Sequence, residues 1–205
     1  MKRIYWALWA ILCFIIPYSL INQFSLSRVG YHLILPIDFM IPFVPSFAFF
    51  YLLTFVYVII APYVIIKDQK QFAALALSFV TTMAIGFVTF LLFPVKTVLR
   101  PENLAPGFWN SLVKISYLAD APGFNNFPSL HVGISLLATL ILFNHDKKHW
   151  WGWIMFVGIA LSTMLIKQHY FIDAVAGILL GIIGYLVYLQ LRRRKFYKES
   201  KKNSS

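Results

Sequence analysis

The chain is organised around the stretch FPSLHVG (residues 127–133), which has a counterpart in STMLIKQHYFID (residues 162–173). Each stretch places a histidine, His131 or His169, at the edge of a long hydrophobic run. Burying an imidazole in apolar surroundings costs free energy unless it is hydrogen-bonded, so each histidine needs a reason to be there. The hydrophobic runs around the two stretches decide the fold, and the histidines are the first candidates for a functional site.

The composition of the chain is that of an integral membrane protein. Of its 205 residues, 60% are hydrophobic and only 12% are charged, and the mean hydropathy is +0.74. Average soluble domains carry about twice that share of charged residues. The net charge of +11 does not indicate nucleic-acid binding, because lysines and arginines cluster between hydrophobic runs and at both chain ends. We therefore expect membrane lipids as partners and no nucleic acid.

Six hydrophobic runs are candidates for helices that cross a bilayer, whose hydrocarbon core of about 30 Å needs roughly 20 apolar residues per helix. The runs cover residues 4–21, 45–66, 72–93, 128–144, 150–166 and 170–191. The sequence therefore predicts an all-α integral membrane protein with a six-transmembrane helix bundle. Residues 1–191 would form this single domain, and residues 192–205 a basic cytoplasmic tail. A short helix is also expected around residues 108–118.

Basic residues are distributed unequally between the two sides of the predicted bundle. Six crossings put both termini on one side, and that side holds 13 of the 18 basic residues. The opposite side holds the remainder, which are Arg28, Lys96, Arg100, Lys114 and Lys167. Because cytoplasmic loops carry an excess of Lys and Arg, the termini are predicted to be cytoplasmic. Both histidine stretches then lie on the non-cytoplasmic face of the cytoplasmic membrane.

The second stretch pairs His169 with Asp173 at the start of the sixth run. A spacing of i, i+4 puts both side chains on one face of a helix. A carboxylate in that position can accept a hydrogen bond from one imidazole nitrogen and leave the other nitrogen free as a nucleophile or base. The alternative is a structural ion pair that ties the sixth helix to a neighbour.

The first stretch places Pro128, Ser129 and His131 at the start of a helix. Proline suits a first turn because its missing N–H is not needed there. The free amides of that turn, the Ser129 hydroxyl and the positive end of the helix dipole form a site for an anion. His131 on the same turn can then donate a proton to a leaving oxygen. The alternative is a plain helix start with a hydrogen-bonded histidine.

Two further cations, Lys96 and Arg100, follow the third run at i, i+4 spacing. On one helix face they can neutralise the oxygens of a phosphate, and arginine does so with a planar fork. The alternative is that both side chains extend toward lipid headgroups, as basic residues at membrane edges do. Glu102 and Asp120 stand alone, so no carboxylate cluster suited to Mg²⁺ accompanies these groups. We therefore expect neither a metal nor another cofactor.

Together, these segments resemble the three motifs of the type 2 phosphatidic acid phosphatase superfamily. That family has a Lys and Arg-Pro pair, a Pro-Ser-x-His turn, and Ser-Arg-x5-His-x3-Asp, and the likeness covers roughly residues 93–177. The resemblance implies a phosphatase core in which His169 is the nucleophile, Asp173 orients it and His131 protonates the leaving group. It also implies a set of phosphate-binding residues, namely Lys96, Arg100, Ser129 and Ser162.

Two positions depart from the family pattern. Three residues separate Lys96 from Arg100 where the family often has six, but both spacings return to the same helix face. Thr163 stands where most members have arginine, and the hypothesis is that Lys167, one helical turn later, supplies the missing charge to the phosphate.

The threonine variant looks like the inositol phosphorylceramide synthase branch of this superfamily. The likeness extends over residues 127–131, 162–164 and 169–177, and over DFMIPFVP at residues 38–45. Members of that branch move a phospho-headgroup to a lipid alcohol instead of to water.

The residues and the resemblance lead to one expected function and two alternatives. We expect a metal-independent lipid phosphatase that hydrolyses a phospholipid or polyprenyl phosphate, as a phosphomonoester or diphosphate, through a phosphohistidine. The first alternative is a phospho-headgroup transferase that passes the phosphoryl group to a lipid or sugar hydroxyl. The second is a non-catalytic lipid-binding or transport protein, against which the presence of both histidines and Asp173 argues.

Overall fold

The computed structural model describes residues 2–25, 27–121 and 123–203. Within them the chain forms eight α-helices joined by loops and short 3-10 helices. The α-helices are α1 (Arg3–Ser25), α2 (Pro36–Met40), α3 (Ala48–Ile65), α4 (Gln69–Leu92), α5 (Phe108–Ala119), α6 (Leu130–His145), α7 (Gly152–Leu165) and α8 (Phe171–Asn203). Short 3-10 helices precede α3, at Pro45–Phe47, and α7, at Lys147–Trp151. The prediction of an all-α fold is confirmed.

In the part of the chain that the structure describes, four helical segments are long and apolar enough to cross a membrane. They are Arg3–Ser25, Pro45–Ile65, Gln69–Leu92 and Phe171–Arg193. Helices α6 and α7 coincide with the fourth and fifth predicted runs, but they have only 16 and 14 residues, fewer than the roughly 20 needed for a full crossing. The structure thus has a helix at each of the six predicted runs, and a count of six crossings stays a prediction. The short helix expected around residues 108–118 is α5.

Helix α6 lies at the centre of the bundle, with most of its side chains buried, and it packs most extensively against α8. Glycines let the two backbones meet. A Cβ on Gly177 would lie 2.5 Å from the Ser129 carbonyl oxygen, and one on Gly181 would lie 2.6 Å from the Gly133 carbonyl oxygen. Small residues at helix contacts allow this close approach in a bilayer. The start of α8 is thereby fixed against the start of α6.

The loops at this end of the bundle are joined by hydrogen bonds between backbone groups. The Tyr31 amide donates to the Pro94 carbonyl at 2.8 Å, and the Lys96 amide donates to the Tyr31 carbonyl at 2.9 Å. The Ser129 amide donates to the Asp173 carbonyl at 3.0 Å. Pairing of this kind avoids the cost of leaving backbone groups unsatisfied away from water. It brings the segments that carry all three motifs into one region.

Helix α8 continues past residue 191, where the apolar run ends, and reaches Asn203. The residues that follow position 191 are rich in Arg and Lys, which are good helix formers. The change at residue 192 is therefore one of composition and not the end of a helix. The assignment of residues 192–205 to a cytoplasmic tail stays a prediction, and its last two residues lie outside the described ones.

Candidate active site

His169 lies in the turn between α7 and α8. The Thr163 carbonyl accepts hydrogen bonds from the amides of both Gln168 and His169, at 3.0 Å each, which fixes the backbone of this turn. The His169 ring is buried, and its Nδ1 lies 3.0 Å from the Asn126 carbonyl oxygen and 3.4 Å from Asp173 Oδ2. Because both neighbours are acceptors, Nδ1 carries the proton and Nε2 keeps its lone pair.

Asp173 is fully buried in the first turn of α8. Its Oδ2 accepts a hydrogen bond from the Tyr170 amide at 2.9 Å, while Oδ1 has no partner among the residues that the structure describes. The Tyr170 hydroxyl donates to the Lys96 carbonyl at 3.0 Å and accepts from the Val98 amide at 3.1 Å. Buried polar groups require such partners. Tyr170 therefore ties the turn that carries His169 to residues 96–101, which form the Lys and Arg-Pro motif and are called the first motif below.

His131 lies on the first turn of α6, with its ring among aromatic side chains. The ring stacks on Tyr51 at a centroid distance of 4.2 Å and an interplanar angle of 28°. Phe55 meets the same ring edge-on at 5.6 Å. The centroid of the His169 ring is 5.8 Å away. The structure thus brings the two histidines together, at a separation that lets both reach one small anion.

Ser129 and Ser162 are fully buried. Ser129 is the N-cap of α6, with its Oγ 3.5 Å from the Val132 amide, so Pro128 lies before the helix and not in its first turn. The Ser129 hydroxyl accepts in this bond and keeps its own proton available for an anion. Ser162, by contrast, donates from Oγ to the Ile159 carbonyl at 2.7 Å. The two serines therefore differ in what they can offer a phosphate.

The first motif is not helical, so the expectation that Lys96 and Arg100 share a helix face is wrong. Pro94 and Pro101 explain the difference, because proline lacks an N–H and restricts the residue before it to extended conformations. The Lys96 side chain is exposed, and its Nζ lies 5.3 Å from the centre of the Phe124 ring. This is a cation–π distance, and it keeps the ammonium beside the loop that leads to α6.

Arg100 is hydrogen-bonded through Nη2, while its Nε has no partner among the described residues. Its Nη2 donates to Asp120 Oδ2 and to Gln168 Oε1, and its Cζ lies 4.8 Å from the centre of the Tyr117 ring. The Tyr18 hydroxyl donates to the other oxygen of Asp120. Within the described part of the chain, Arg100 Nε is buried and has no partner. That edge of the fork can bind a phosphate oxygen while the ion pair fixes its position.

The Lys167 ammonium donates to the Asp38 carbonyl at 2.9 Å and to the Ile41 carbonyl at 2.5 Å. Burial lowers the pKa of Lys167, an effect that the nearby Asp38 charge partly offsets. The Asp38 carboxylate accepts from the Leu35 amide and from the Phe171 amide, both at 2.7 Å. These bonds attach α2 to the turn that precedes α8. Lys167 therefore lies beside the site with its charge already bound to the backbone.

Sequence reasoning did not assign four residues that hold the site together, namely Asp38, Asp120, Gln168 and Tyr170. All four are buried, and each bonds to a predicted site residue or to its turn. A buried charge needs a partner, so the presence of lone carboxylates near apolar runs could have marked Asp38 and Asp120. Gln168 and Tyr170 flank His169 in the chain, but where their side chains point depends on the backbone of the turn.

Comparisons with known proteins bear on this arrangement. The family model described as the PAP2 superfamily matches residues 40–187. The inositol phosphorylceramide synthase catalytic subunit aur1 of Schizosaccharomyces pombe is 35% identical over 72 residues, which is 34% of this chain. The chain spans only 17% of the length of that curated relative, and no solved structure gives a significant match. Since the family match covers most of the chain and every predicted site residue, the chain belongs to the PAP2 superfamily, as its three motifs predict.

Proposed function

We propose that this protein is a membrane lipid phosphatase that hydrolyses a lipid phosphomonoester or diphosphate through a phosphohistidine, without a metal. Membership of the PAP2 superfamily indicates lipid phosphatase or phosphotransferase activity. The observation that carries the proposal is the setting of His169. Its Nδ1 faces the Asn126 carbonyl and Asp173, and the His131 ring lies 5.8 Å away. This reaction needs a nucleophile, a group that orients it and a proton donor.

In the first step, His169 Nε2 attacks phosphorus. The N–P bond forms while the bond from phosphorus to the leaving oxygen breaks, and His131 gives a proton to that oxygen. Asp173 and the Asn126 carbonyl hold the Nδ1 proton and stabilise the positive charge that develops on the ring. In the second step, water attacks phosphorus, His131 accepts the proton of that water, and the P–N bond breaks. Phosphate leaves, and His169 returns to its starting state.

The phosphate oxygens would be bound by the basic and hydroxyl groups around the histidines, namely Lys96, Arg100, Ser129, Ser162 and Lys167. Arg100 has the strongest support, because its Nε is unpartnered in the described structure while Asp120 fixes its other side. Ser129 adds a hydroxyl donor at the start of α6, where the helix dipole favours an anion. Lys167 would have to give up its bonds to two carbonyls to reach the phosphate.

A phospho-headgroup transferase is the second candidate. It is favoured by the similarity to the Schizosaccharomyces pombe protein aur1, which is named as a synthase subunit. Both reactions share the attack of His169 on phosphorus, and they differ only in whether water or a hydroxyl group of a lipid or sugar takes the phosphoryl group. The geometry around the two histidines supports both reactions equally, so the acceptor must be found by experiment.

We place the reaction on the non-cytoplasmic face of the membrane. The support is the charge distribution, with 13 of the 18 basic residues on the side of the termini, because an excess of Lys and Arg marks the cytoplasmic side. The three motifs lie at the opposite end of the helices.

The test is phosphate release by the detergent-solubilised protein in the presence of EDTA. Phosphatidic acid, phosphatidylglycerol phosphate and a polyprenyl diphosphate are each incubated with and without a lipid or sugar alcohol. Free phosphate that forms regardless of the alcohol supports the hydrolase. A new phosphomonoester of the added alcohol that forms at the expense of free phosphate supports the transferase. The proposal fails if neither product forms from any substrate, or if EDTA abolishes the activity.

A further inference from the structure

An apolar cavity lies between α1, α3, α4 and α6, beside the candidate site. Its volume of about 360 Å³ falls within the range of ligand pockets, roughly 300–1,000 Å³. Its walls are alanine, aliphatic and aromatic side chains, among them Ala10, Phe55, Ala76 and Ile134. Water needs polar partners to be stable inside a protein, so an apolar group suits this cavity better than water does.

The cavity begins directly beside His131. Ile134, which lines it, follows His131 by about one turn of α6. Phe55, which also lines it, meets the His131 ring edge-on at 5.6 Å. A hydrocarbon group attached to a phosphate between the two histidines therefore has a short path into the cavity.

The cavity extends away from the site along the helices. On α4 its lining residues Phe72 and Met83 are eleven residues apart, which is about 16 Å at a rise of 1.5 Å per residue. A methylene group is similar in size to a water molecule, which takes about 30 Å³, so this volume corresponds to on the order of a dozen carbons. The length and the volume together fit one hydrocarbon chain better than two.

The cavity is also open toward the outer surface of the bundle. Two of its lining side chains, Ile15 on α1 and Phe55 on α3, are 51% and 37% exposed. Helix α1 packs mainly along α4, so the opening lies between α1 and α3. A lipid chain can therefore move from the bilayer into the cavity without crossing water.

We infer that this cavity binds a single hydrocarbon chain of the lipid whose phosphate reacts at His169, and that the chain enters sideways between α1 and α3. The inference rests on the proposed function and adds the part of the substrate that the catalytic groups do not contact. Continuity with His131 favours the substrate's own chain over a structural lipid, which would have no need to reach the imidazole. Ala10 and Ala76 give the cavity its width, so a larger side chain at either position would reduce the space for the chain.

The test compares hexadecyl phosphate with butyl phosphate as substrates of the wild type and of Ala10→Phe. We expect kcat/KM for hexadecyl phosphate to fall at least tenfold, mainly through KM, and kcat/KM for butyl phosphate to change less than twofold. The reason is that only the long chain reaches the position of the new side chain. The matched control is Ala61→Phe, which fills a separate apolar groove of about 330 Å³ between α3 and α7 and should leave both substrates unaffected.

The outcomes separate this inference from the proposed function. Equal losses on both substrates, or no loss on hexadecyl phosphate, would overturn the inference and leave the phosphatase intact. A wild type that hydrolyses neither phosphate is instead a failure of the proposed function.

A second variant and a second readout cover the case in which Ala10→Phe does not fold. Ala76→Leu then takes its place with the same expected tenfold loss. Hexadecyl phosphate with a diazirine at the chain end reports binding without turnover, and we expect its cross-links on α1 and α4. Cross-links confined to α7, or cross-links that excess unlabelled hexadecyl phosphate does not reduce, would show that the cavity is not the site of the chain.

Discussion

Each end of the helix bundle carries a pair of histidines, and the two pairs differ in their surroundings. At one end the rings of His131 and His169 are 5.8 Å apart, and at the other end the rings of His145 and His149 are 6.1 Å apart. Ring distance therefore does not distinguish the two pairs. The difference lies in the groups that hold the ring nitrogens.

The carboxylates next to the two histidine pairs differ in burial and in the groups that they bind. Asp173 is fully buried, and its Oδ2 lies 3.4 Å from His169 Nδ1. Asp146, at the other end, is partly exposed, and it binds Lys148 through an ion pair and through the Lys148 amide, each at 2.9 Å. Donation from that amide holds the pKa of Asp146 below its usual range. The Nδ1 of His149 is left without a partner in the described structure.

Proximity of two histidines is therefore a weak signal for chemistry. A histidine becomes a candidate nucleophile when a buried acceptor fixes one ring nitrogen, so that the other keeps its lone pair. The His145 ring instead meets the neutral side chain of Gln71, with Nδ1 3.2 Å from its Nε2. We therefore propose chemistry for the first pair and packing for the second.

The largest effect is expected from His169→Gln, which removes the proposed nucleophile. Because His169 is the histidine that a buried carboxylate orients among the described residues, kcat for lipid phosphate hydrolysis should fall by about 1,000-fold or more. The measurement is phosphate release, together with acid-labile labelling of the protein by a ³²P-labelled lipid phosphate. The wild type should carry the label and the variant should not. A variant that keeps a tenth of the activity, or keeps the label, would remove the distinction between the two pairs.

The positions of the helices, and the choice of the two histidine stretches as candidate site segments, could be predicted from the sequence. Hydrophobic runs report burial over many residues. The pairing of His169 with Asp173 was also expected, but the expected shared helix face is wrong, because α8 begins at Phe171 and His169 lies in the turn before it. The backbone conformation of the first motif could not be predicted from the sequence, because the hydrogen bond from the Lys96 amide to the Tyr31 carbonyl joins segments that are far apart in the chain. No local pattern encodes such a contact.

The position of the Lys167 side chain could not be predicted from the sequence for a related reason. The sequence shows a cation near the place where the family has arginine, but the direction of its side chain depends on where α2 lies. In the structure the two carbonyls of Asp38 and Ile41 take up the ammonium. A carboxylate inside an apolar run, such as Asp38, does signal a buried partner, but it does not say which partner.

The next effect is expected from His131→Asn, and it should depend on the leaving group. If His131 protonates the departing oxygen, an alkyl phosphate loses about 100-fold in kcat/KM, since general acid catalysis contributes roughly 10²–10⁴-fold. The leaving group of p-nitrophenyl phosphate needs no proton. For this substrate, the rate of the first step should therefore fall much less. Burst kinetics with both substrates provide the measurement. Equal losses on the two substrates would assign His131 to packing against Tyr51, as in the pair at the other end.

A smaller effect is expected from Lys167→Ala. If the ammonium turns from the carbonyls of α2 to the phosphate when substrate binds, KM should rise by about tenfold, the usual scale for one charge-assisted hydrogen bond. The control is Asp38→Asn, which keeps the backbone carbonyl that Lys167 binds and alters the bond to the Phe171 amide. The role of Lys167 in phosphate binding is refuted if the activity of Lys167→Ala is unchanged, and the lysine then serves only to attach α2.

The smallest effect on activity is expected from His149→Ala, at the other end of the bundle. Its ring is buried beside Trp151 and His145, so its loss should reduce the free energy of unfolding by about 1–3 kcal/mol, as for other buried side chains. Because no carboxylate among the described residues holds an imidazole nitrogen at this end, kcat/KM should stay within twofold of the wild type. The measurements are the thermal unfolding midpoint in detergent and phosphate release well below that midpoint. A tenfold fall in kcat with an unchanged midpoint would mean that the second pair also takes part in the reaction, and that a buried carboxylate is not what separates the two pairs.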